Sequence, residues 1–168
     1  MRDLLRNKLE PDAYAVISGK EDNNRLNGTV YFYSTPFGGT LVEAEVDGLP
    51  VDPGSPVAFY GMHIHENGDC TPPFDQTGEH YNPSSSMHPY HAGDLLPLLG
   101  NYGYAYLVFF TDRFSPGDIT RRSIVIHSGP DDFKSQPSGN SGDKIGCGVI
   151  KKPDIPETQD TGSTMQDV

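Results

Sequence analysis

Five of the six histidines fall between Gly61 and Asp94, in a stretch that reads G-M-H-I-H-E-N-G-D-C, then G-E-H-Y-N-P, then M-H-P-Y-H-A-G-D. The sixth, His127, lies far downstream in V-I-H-S-G-P-D-D. This concentration constrains the chain more than any other feature. Neutral imidazole offers a ring lone pair near neutral pH, so a clustered set of histidines points to a metal site. His63 and His65 sit two apart in the strand-forming run Val57-Ala-Phe-Tyr-Gly-Met-His-Ile-His65, and a period of two puts both rings on one face. His88, His91 and Asp94 recur every third residue in a Pro/Gly/Ser-rich segment, a loop by composition that can wrap an ion. Nitrogen and carboxylate donors suit tetrahedral zinc, whereas a set of imidazoles alone suits copper. Taken singly, an H-x-H pair is better explained by strand histidines hydrogen-bonded at a sheet surface.

The rest of the chain predicts an all-β domain. Its 168 residues suffice for one core, and 19 Gly with 15 Pro fit short strands and many turns better than a helix bundle. Alternation and β-formers predict strands over 13–18, 26–34, 40–46, 57–65, 102–111 and 123–127, with 147–150 closing the sheet. Turn clusters such as Asp47-Gly48, Asp52-Pro-Gly-Ser55 and Ser115-Pro-Gly-Asp118 separate them. A β-sandwich follows from many short strands with this punctuation. Tyr102, Tyr104 and Tyr106 alternate and read as a packed face or subunit contact. Residues 1–10 are compatible with a short helix, and 151–168, polar and Pro-containing, with a mobile tail. Two cysteines are too few for a disulfide scaffold or a cysteine zinc site; from composition alone they are equally a pair or two free buried thiols.

In order along the chain, His63-Ile-His65-Glu66, Gly68-Asp69-Cys70, Gly78-Glu-His80-Tyr-Asn-Pro83, His91-Ala-Gly-Asp94-Leu, Val125-Ile-His127, Asp131-Asp132 and Gly139-Asn-Ser-Gly142, leading to Cys147-Gly-Val-Ile150, resemble the copper-zinc superoxide dismutase family. The form is bacterial-type, with a short zinc subloop in which only Pro89 and Tyr90 separate His88 from His91. The resemblance covers roughly 13–150. It implies an eight-stranded Greek-key β-sandwich or barrel with long metal-binding and active-site loops.

It also implies a residue assignment. His63, His65, His80 and His127 would bind copper; His80, His88, His91 and Asp94 would bind zinc, with His80 bridging the two ions. Asp131 matches the aspartate that accepts hydrogen bonds from one ligand of each metal. Asp132 has no comparable role. Cys70 and Cys147 match the family's intrasubunit disulfide. Lys144 stands where the family has its active-site arginine, keeping the positive charge but losing the planar fork; read without the resemblance it is a surface lysine. The loop between His127 and Lys144 carries Lys134 but no glutamate, so its field on an incoming anion differs from that of the animal enzymes.

The function implied is disproportionation of superoxide by copper beside zinc, with His80 and Lys144 as its working side chains. The alternative is a related metal-binding protein that holds zinc but loads copper poorly. A zinc hydrolase is disfavoured, because no general base and no three-ligand zinc site with an open position is evident. The net charge of -11 argues against nucleic acid and anionic membrane surfaces. It does not exclude an anionic substrate, since two metal ions with Lys134 and Lys144 can make one cleft locally positive. No apolar run is long enough to span a membrane. The partners expected are superoxide as a small-molecule substrate and a second copy in a homodimer. Residues 1–12 read as an extension, 13–150 as the domain and 151–168 as the tail. The amino terminus lacks an apolar signal region, so the location expected is cytoplasmic, or exported if the chain starts after a cleavage site.

Overall fold

The computed structural model of the protein describes residues 10–154. The helix expected over 1–10 and most of the tail expected over 151–168 lie outside them.

Nine strands form among the described residues: β1 (Ala13–Gly19), β2 (Asn27–Ser34), β3 (Thr40–Asp47), β4 (Val57–Tyr60), β5 (Met62–His65), β6 (Leu98–Asn101), β7 (Ala105–Thr111), β8 (Ser123–His127) and β9 (Lys144–Lys151). Seven of them make one sheet in the order β5-β8-β9-β1-β2-β3-β7, and β4 pairs with β6 in a second. All pairings are antiparallel. Only Gly61 separates β4 from β5, so the expected strand over 57–65 is present but changes partner midway, from β6 to β8. Counted as one, these two leave eight strand positions curled around a core. The chain passes from β3 to β4 and from β7 to β8 without pairing them, the crossovers of a Greek key.

Alternation fills the interior. Ala13, Ala15 and Ile17 of β1, Val30 and Phe32 of β2, and Val42, Ala44 and Val46 of β3 all point into one cluster with Met62, Ile64, Ile124 and Ile126. Emptying the Phe32 position would cost about 3–5 kcal/mol. On β8 every residue is buried, which plain alternation does not predict. Ile124 and Ile126 face the barrel core, whereas Val125 packs outside it with Phe74, Cys147 and the partly buried Cys70. Cys70 and Cys147 are joined in a disulfide that pins the connection after β5 onto β9. In the chain-entropy model, cross-linking a loop of this length contributes ~4 kcal/mol.

Three sequence expectations need correction. The segment 98–101 is a strand that sequence pattern did not indicate. The strand expected from Tyr102 starts at Ala105; Tyr102 (φ 52°) and Gly103 (φ 87°) form the turn between β6 and β7. The three tyrosines therefore do not share one strand: Tyr104 bridges back to Asn101, and only Tyr106 lies in β7. Tyr104 and Tyr106 donate hydrogen bonds to Glu45 (2.9 Å) and Glu43 (2.7 Å), an exposed polar surface instead of a packed face. Finally, β9 runs from Lys144 to Lys151, longer at both ends than 147–150; Lys151 pairs with Tyr14.

Candidate metal centre

The six histidines come together because of how β5 is edged. Its residues alternate, Met62 and Ile64 into the barrel core and His63 and His65 onto the outer face. β8 occupies one edge of β5. Along the other, the connection after β5 returns: Tyr81 N–H donates to Ile64 O (2.8 Å), Ile64 N–H to Gly93 O (2.9 Å) and Gly93 N–H to Tyr81 O (2.8 Å). This lays His80 beside His65 and Asp94 beside His63. Gly93 is required there, since a Cβ would stand 2.3 Å from Ile64 O. From β8, His127 N–H donates to Gly61 O (2.8 Å), which brings its ring to the same face. A register shift between Ile126 and His127 then puts Lys144 of β9 opposite His127.

Two donor groups result, His63, His65, His80 and His127, and His80, His88, His91 and Asp94, each with its ligand atoms within 4.8 Å of one another and all buried. His80 belongs to both. The hydrogen bonds fix which ring nitrogens keep lone pairs. A carbonyl or carboxylate oxygen only accepts, so a ring nitrogen bonded to one carries the proton. His65 Nδ1 donates to Gly78 O (2.8 Å) and His127 Nδ1 to Gly142 O (3.2 Å), leaving both Nε2 atoms bare and facing each other at 3.4 Å. His63 Nε2 donates to Asp131 Oδ2 and His88 Nε2 to Asp131 Oδ1, each at 2.9 Å, leaving both Nδ1 atoms bare.

Among the described residues, three buried ring nitrogens have no hydrogen-bond partner: His63 Nδ1, His80 Nε2 and His88 Nδ1. His88 Nδ1 does lie 3.1 Å from Asp94 Oδ2, but out of hydrogen-bonding geometry. Orphaned buried nitrogens of this kind are costly unless something meets them. In the first group bare nitrogens converge, and in the second an ion would displace the protons that His80 Nδ1 and His91 Nδ1 give to Asp94, so the residues present fit two metal ions. Asp94 supports the second group, taking His80 Nδ1 on Oδ1 at 2.7 Å, with His91 Nδ1 3.2 Å from the same oxygen.

Titration follows the same logic. Burial drives the His65 imidazole down to about 2 and that of His127 to about 3, and it lowers His63 as well, so all three are neutral donors at physiological pH. For Asp131, burial favours the neutral acid, but hydrogen bonds from His63 and the Phe133 N–H outweigh it and hold the carboxyl at about 2. Asp94 is likewise lowered, the His80 hydrogen bond overcoming burial.

Lys144 stands at the rim, half-buried. Its Nζ donates to Thr77 Oγ1 (2.8 Å) and Gly78 O (3.3 Å), the same carbonyl that takes His65 Nδ1, with Phe74 O at 3.5 Å. Burial lowers its ammonium against the pull of Glu79 and Asp75. Lys134 is not drawn in: its side chain is exposed, its backbone N–H donates to Asp132 Oδ1 (2.8 Å) and its carbonyl accepts from Gln136 Nε2 (3.4 Å).

Comparison with known proteins agrees with the geometry. Residues 26–150 match the family model described as copper/zinc superoxide dismutase. The chain is 35% identical over 153 residues to a Cu-Zn superoxide dismutase of Deinococcus radiodurans, covering 78% of this chain and 80% of that one. It is 38% identical over 132 residues to Cu-Zn superoxide dismutase 2 of Aquifex aeolicus, covering 67% of this chain and 72% of that one. Among solved structures, the clock protein EA4 superposes with a TM-score of 0.72 at 29% identity, over 86% of this chain and 97% of that one. The chain belongs to the copper/zinc superoxide dismutase family, which makes it an enzyme of the oxidoreductase class, and its paired donor groups fit that family's two metals.

Two contributors had no sequence signal. Arg113 Nη1 donates to the carbonyls of Asp94 (3.0 Å), Pro89 (3.3 Å) and His91 (3.3 Å), bracing the loop from outside. Gln136 holds the backbone of His88.

Proposed function

We propose that the chain converts two superoxide ions and two protons into dioxygen and hydrogen peroxide, with His63, His65, His80 and His127 holding copper and His80, His88, His91 and Asp94 holding zinc. The observation that carries this reading is His80, whose Nδ1 faces Asp94 and whose unpartnered Nε2 faces the other group, so that one ring serves both. Copper, when bound, supplies the one-electron exchange that dismutation requires. His63, His65 and His127 present neutral nitrogens, because Asp131, Gly78 and Gly142 engage their opposite ring atoms. Peroxide formation consumes protons, and His80 Nε2 is the buried nitrogen placed to hold one and hand it on while Asp94 keeps Nδ1 engaged. Lys144 attracts the anion to the rim as a point charge. Asp131 holds one member of each group, His63 and His88, in a single orientation.

The domain carrying this activity spans 13–150 together with Lys151, which ends β9 and pairs with Tyr14. A homodimer belongs to the same reading, supported by the uncharged outer face where Val57, Phe59 and Leu99 are exposed on β4 and β6. Metal loading with a turnover assay tests the activity. Near-equal copper and zinc with rapid superoxide loss is the expected result. Zinc alone, with no turnover after copper loading, replaces it with a zinc-holding relative of the enzyme.

A further inference from the structure

The loop between β8 and β9 grips His88 at three points, only one of which is its ring. Asp131 Oδ1 takes Nε2 (2.9 Å). The Gln136 carboxamide takes the rest: its Oε1 accepts the His88 N–H (3.1 Å) and its Nε2 donates to the His88 carbonyl (2.7 Å). A carboxamide used this way copies one rung of a β-ladder, satisfying donor and acceptor of one residue together. His88 has need of it, because it lies in no strand or helix and is followed by Pro89, which has no N–H to give.

Gln136 is itself placed by a tightly folded segment. Asp132 Oδ1 accepts the N–H groups of Lys134 and Ser135 (both 2.8 Å), its Oδ2 accepts the Ser135 hydroxyl (2.6 Å), and Gly139 N–H donates to Ser135 O (2.7 Å). Gly139, at φ 70°, lets that turn pass over the His88–Asp131 contact; a Cβ there would lie 2.0 Å from Asp131 Oδ1 and 2.7 Å from His88 Nε2. The segment thus delivers Asp131 to the ring and Gln136 to the backbone as one piece.

We propose that Gln136 is a positioning residue for His88, fixing the main chain from which the imidazole reaches the second donor group, and so coupling metal binding at that group to the order of the β8–β9 loop. The proposal rests on the reading of His88 as a metal ligand. With the carboxamide in place, Nδ1 is aimed by two independent holds, on ring and on backbone. Without it, the ring contact to Asp131 is the one hold left on His88 from this loop, and Arg113 braces only the residues that follow, through the carbonyls of Pro89 and His91. Coupling is reciprocal, so an ion held by His88 also orders Gln136 and its loop.

The test measures zinc affinity of the metal-depleted full chain by competition with a chromophoric chelator, with the cobalt(II) absorption spectrum as a second readout of ligand geometry. Gln136→Leu, which keeps the side-chain bulk and loses both hydrogen bonds to His88 along with the longer one to Lys134 O (3.4 Å), is expected to weaken zinc binding about tenfold and to alter the cobalt bands, in line with the effect of removing a hydrogen-bond partner of a ligand. Gln136→Glu keeps the acceptor for the His88 N–H and is expected to lose less. The thermal midpoint of the metal-free protein should stay close to that of the parent. His88→Ala, run in parallel, separates the two levels: if it leaves zinc affinity and the cobalt spectrum unchanged, the ligand assignment of His88 fails. If His88→Ala weakens zinc while Gln136→Leu binds within twofold of the parent with unaltered cobalt bands, the positioning role is overturned. A loss of metal-free stability in Gln136→Leu large enough to account for the weaker binding overturns it too, since Gln136 would then be a general brace of the fold.

Discussion

The two halves of the metal centre are built by different means. His63, His65 and His127 stand on β5 and β8, whose backbones are paired within the barrel sheet, so their rings hold their places through the fold itself. His80, His88, His91 and Asp94 all come from the connection after β5, held at intervals by the β5 edge, by Arg113 and by Gln136. The strand-borne donors each give their second ring nitrogen to a fixed oxygen. Of the loop-borne donors only His88 does the same, through Asp131; His80, His88 and His91 crowd around one carboxylate, Asp94, where an ion would complete the arrangement. Strands preset donor geometry; a loop acquires it partly from what it binds.

The largest test of that contrast removes a strand-borne donor. In His63→Ala, copper-replete protein should lose more than about 100-fold in dismutation, beyond the ten- to hundredfold typical of losing only a ligand's hydrogen-bond partner. Zinc, measured by elemental analysis, should stay largely bound, because the four donors proposed for it are intact. Loss of both metals together would show that the halves form one unit and break the comparison; near-parent turnover would remove His63 from the copper set.

Acidification of the metal-free protein sharpens the contrast next. His63, His65 and His127 have folded-state values below the ordinary histidine value of 6.5, with His65 at about 2 and His127 at about 3, both from burial. Below pH 6.5 the unfolded chain binds protons that the folded one refuses, so stability falls with pH until the folded values are reached. Asp131 adds to the same trend at lower pH: its depressed carboxyl contributes stability above its ordinary value of 3.8, lost as pH falls toward about 2. The calorimetric midpoint of metal-free protein should therefore decline steadily from pH 7 to pH 4. The slope should shrink in His127→Ala. A flat midpoint over that range would mean that the three rings are hydrated in the metal-free state.

What the sequence made legible follows the same division. Period-two spacing put His63 and His65 on one face, and the structure has them there. Membership of His88, His91 and Asp94 in a loop was also readable, but the hydrogen bonds that shape that loop were not, because Arg113 and Gln136 are ordinary surface residues until the chain returns along β5. β6 was missed because Leu98-Leu-Gly-Asn101 neither alternates nor carries β-branched residues, and pairing with β4 overrides that weak propensity. The tyrosines misled for the converse reason: Tyr102, Tyr104 and Tyr106 alternate in sequence, but the positive φ angles at Tyr102 and Gly103 turn the chain before the strand begins. Lys144 was indicated only by its spacing from Cys147; its approach to His127 depends on a register shift that no pattern announces.

The smallest expected effect concerns Lys144, which belongs to neither half. Its ammonium is anchored on Thr77 and Gly78, and its positive charge helps to lower both His65 and His127, so its field reaches the strand-borne donors. An exposed decoration would do neither. If this charge draws superoxide to the rim, Lys144→Ala should slow turnover about three- to tenfold at low salt, a modest share of the steering that a charged cleft can supply. Copper content, measured in the same samples, should be unchanged. The deficit should shrink as salt is raised, because the Debye length falls from about 30 Å at 0.01 M to about 8 Å at physiological ionic strength. Lys144→Arg should be at least as active, since a planar fork can keep the Gly78 carbonyl and still present two donors to an anion. Should fully metallated Lys144→Ala match the parent at low salt, the charge at the rim guides nothing, and attraction to the centre comes from the metals alone.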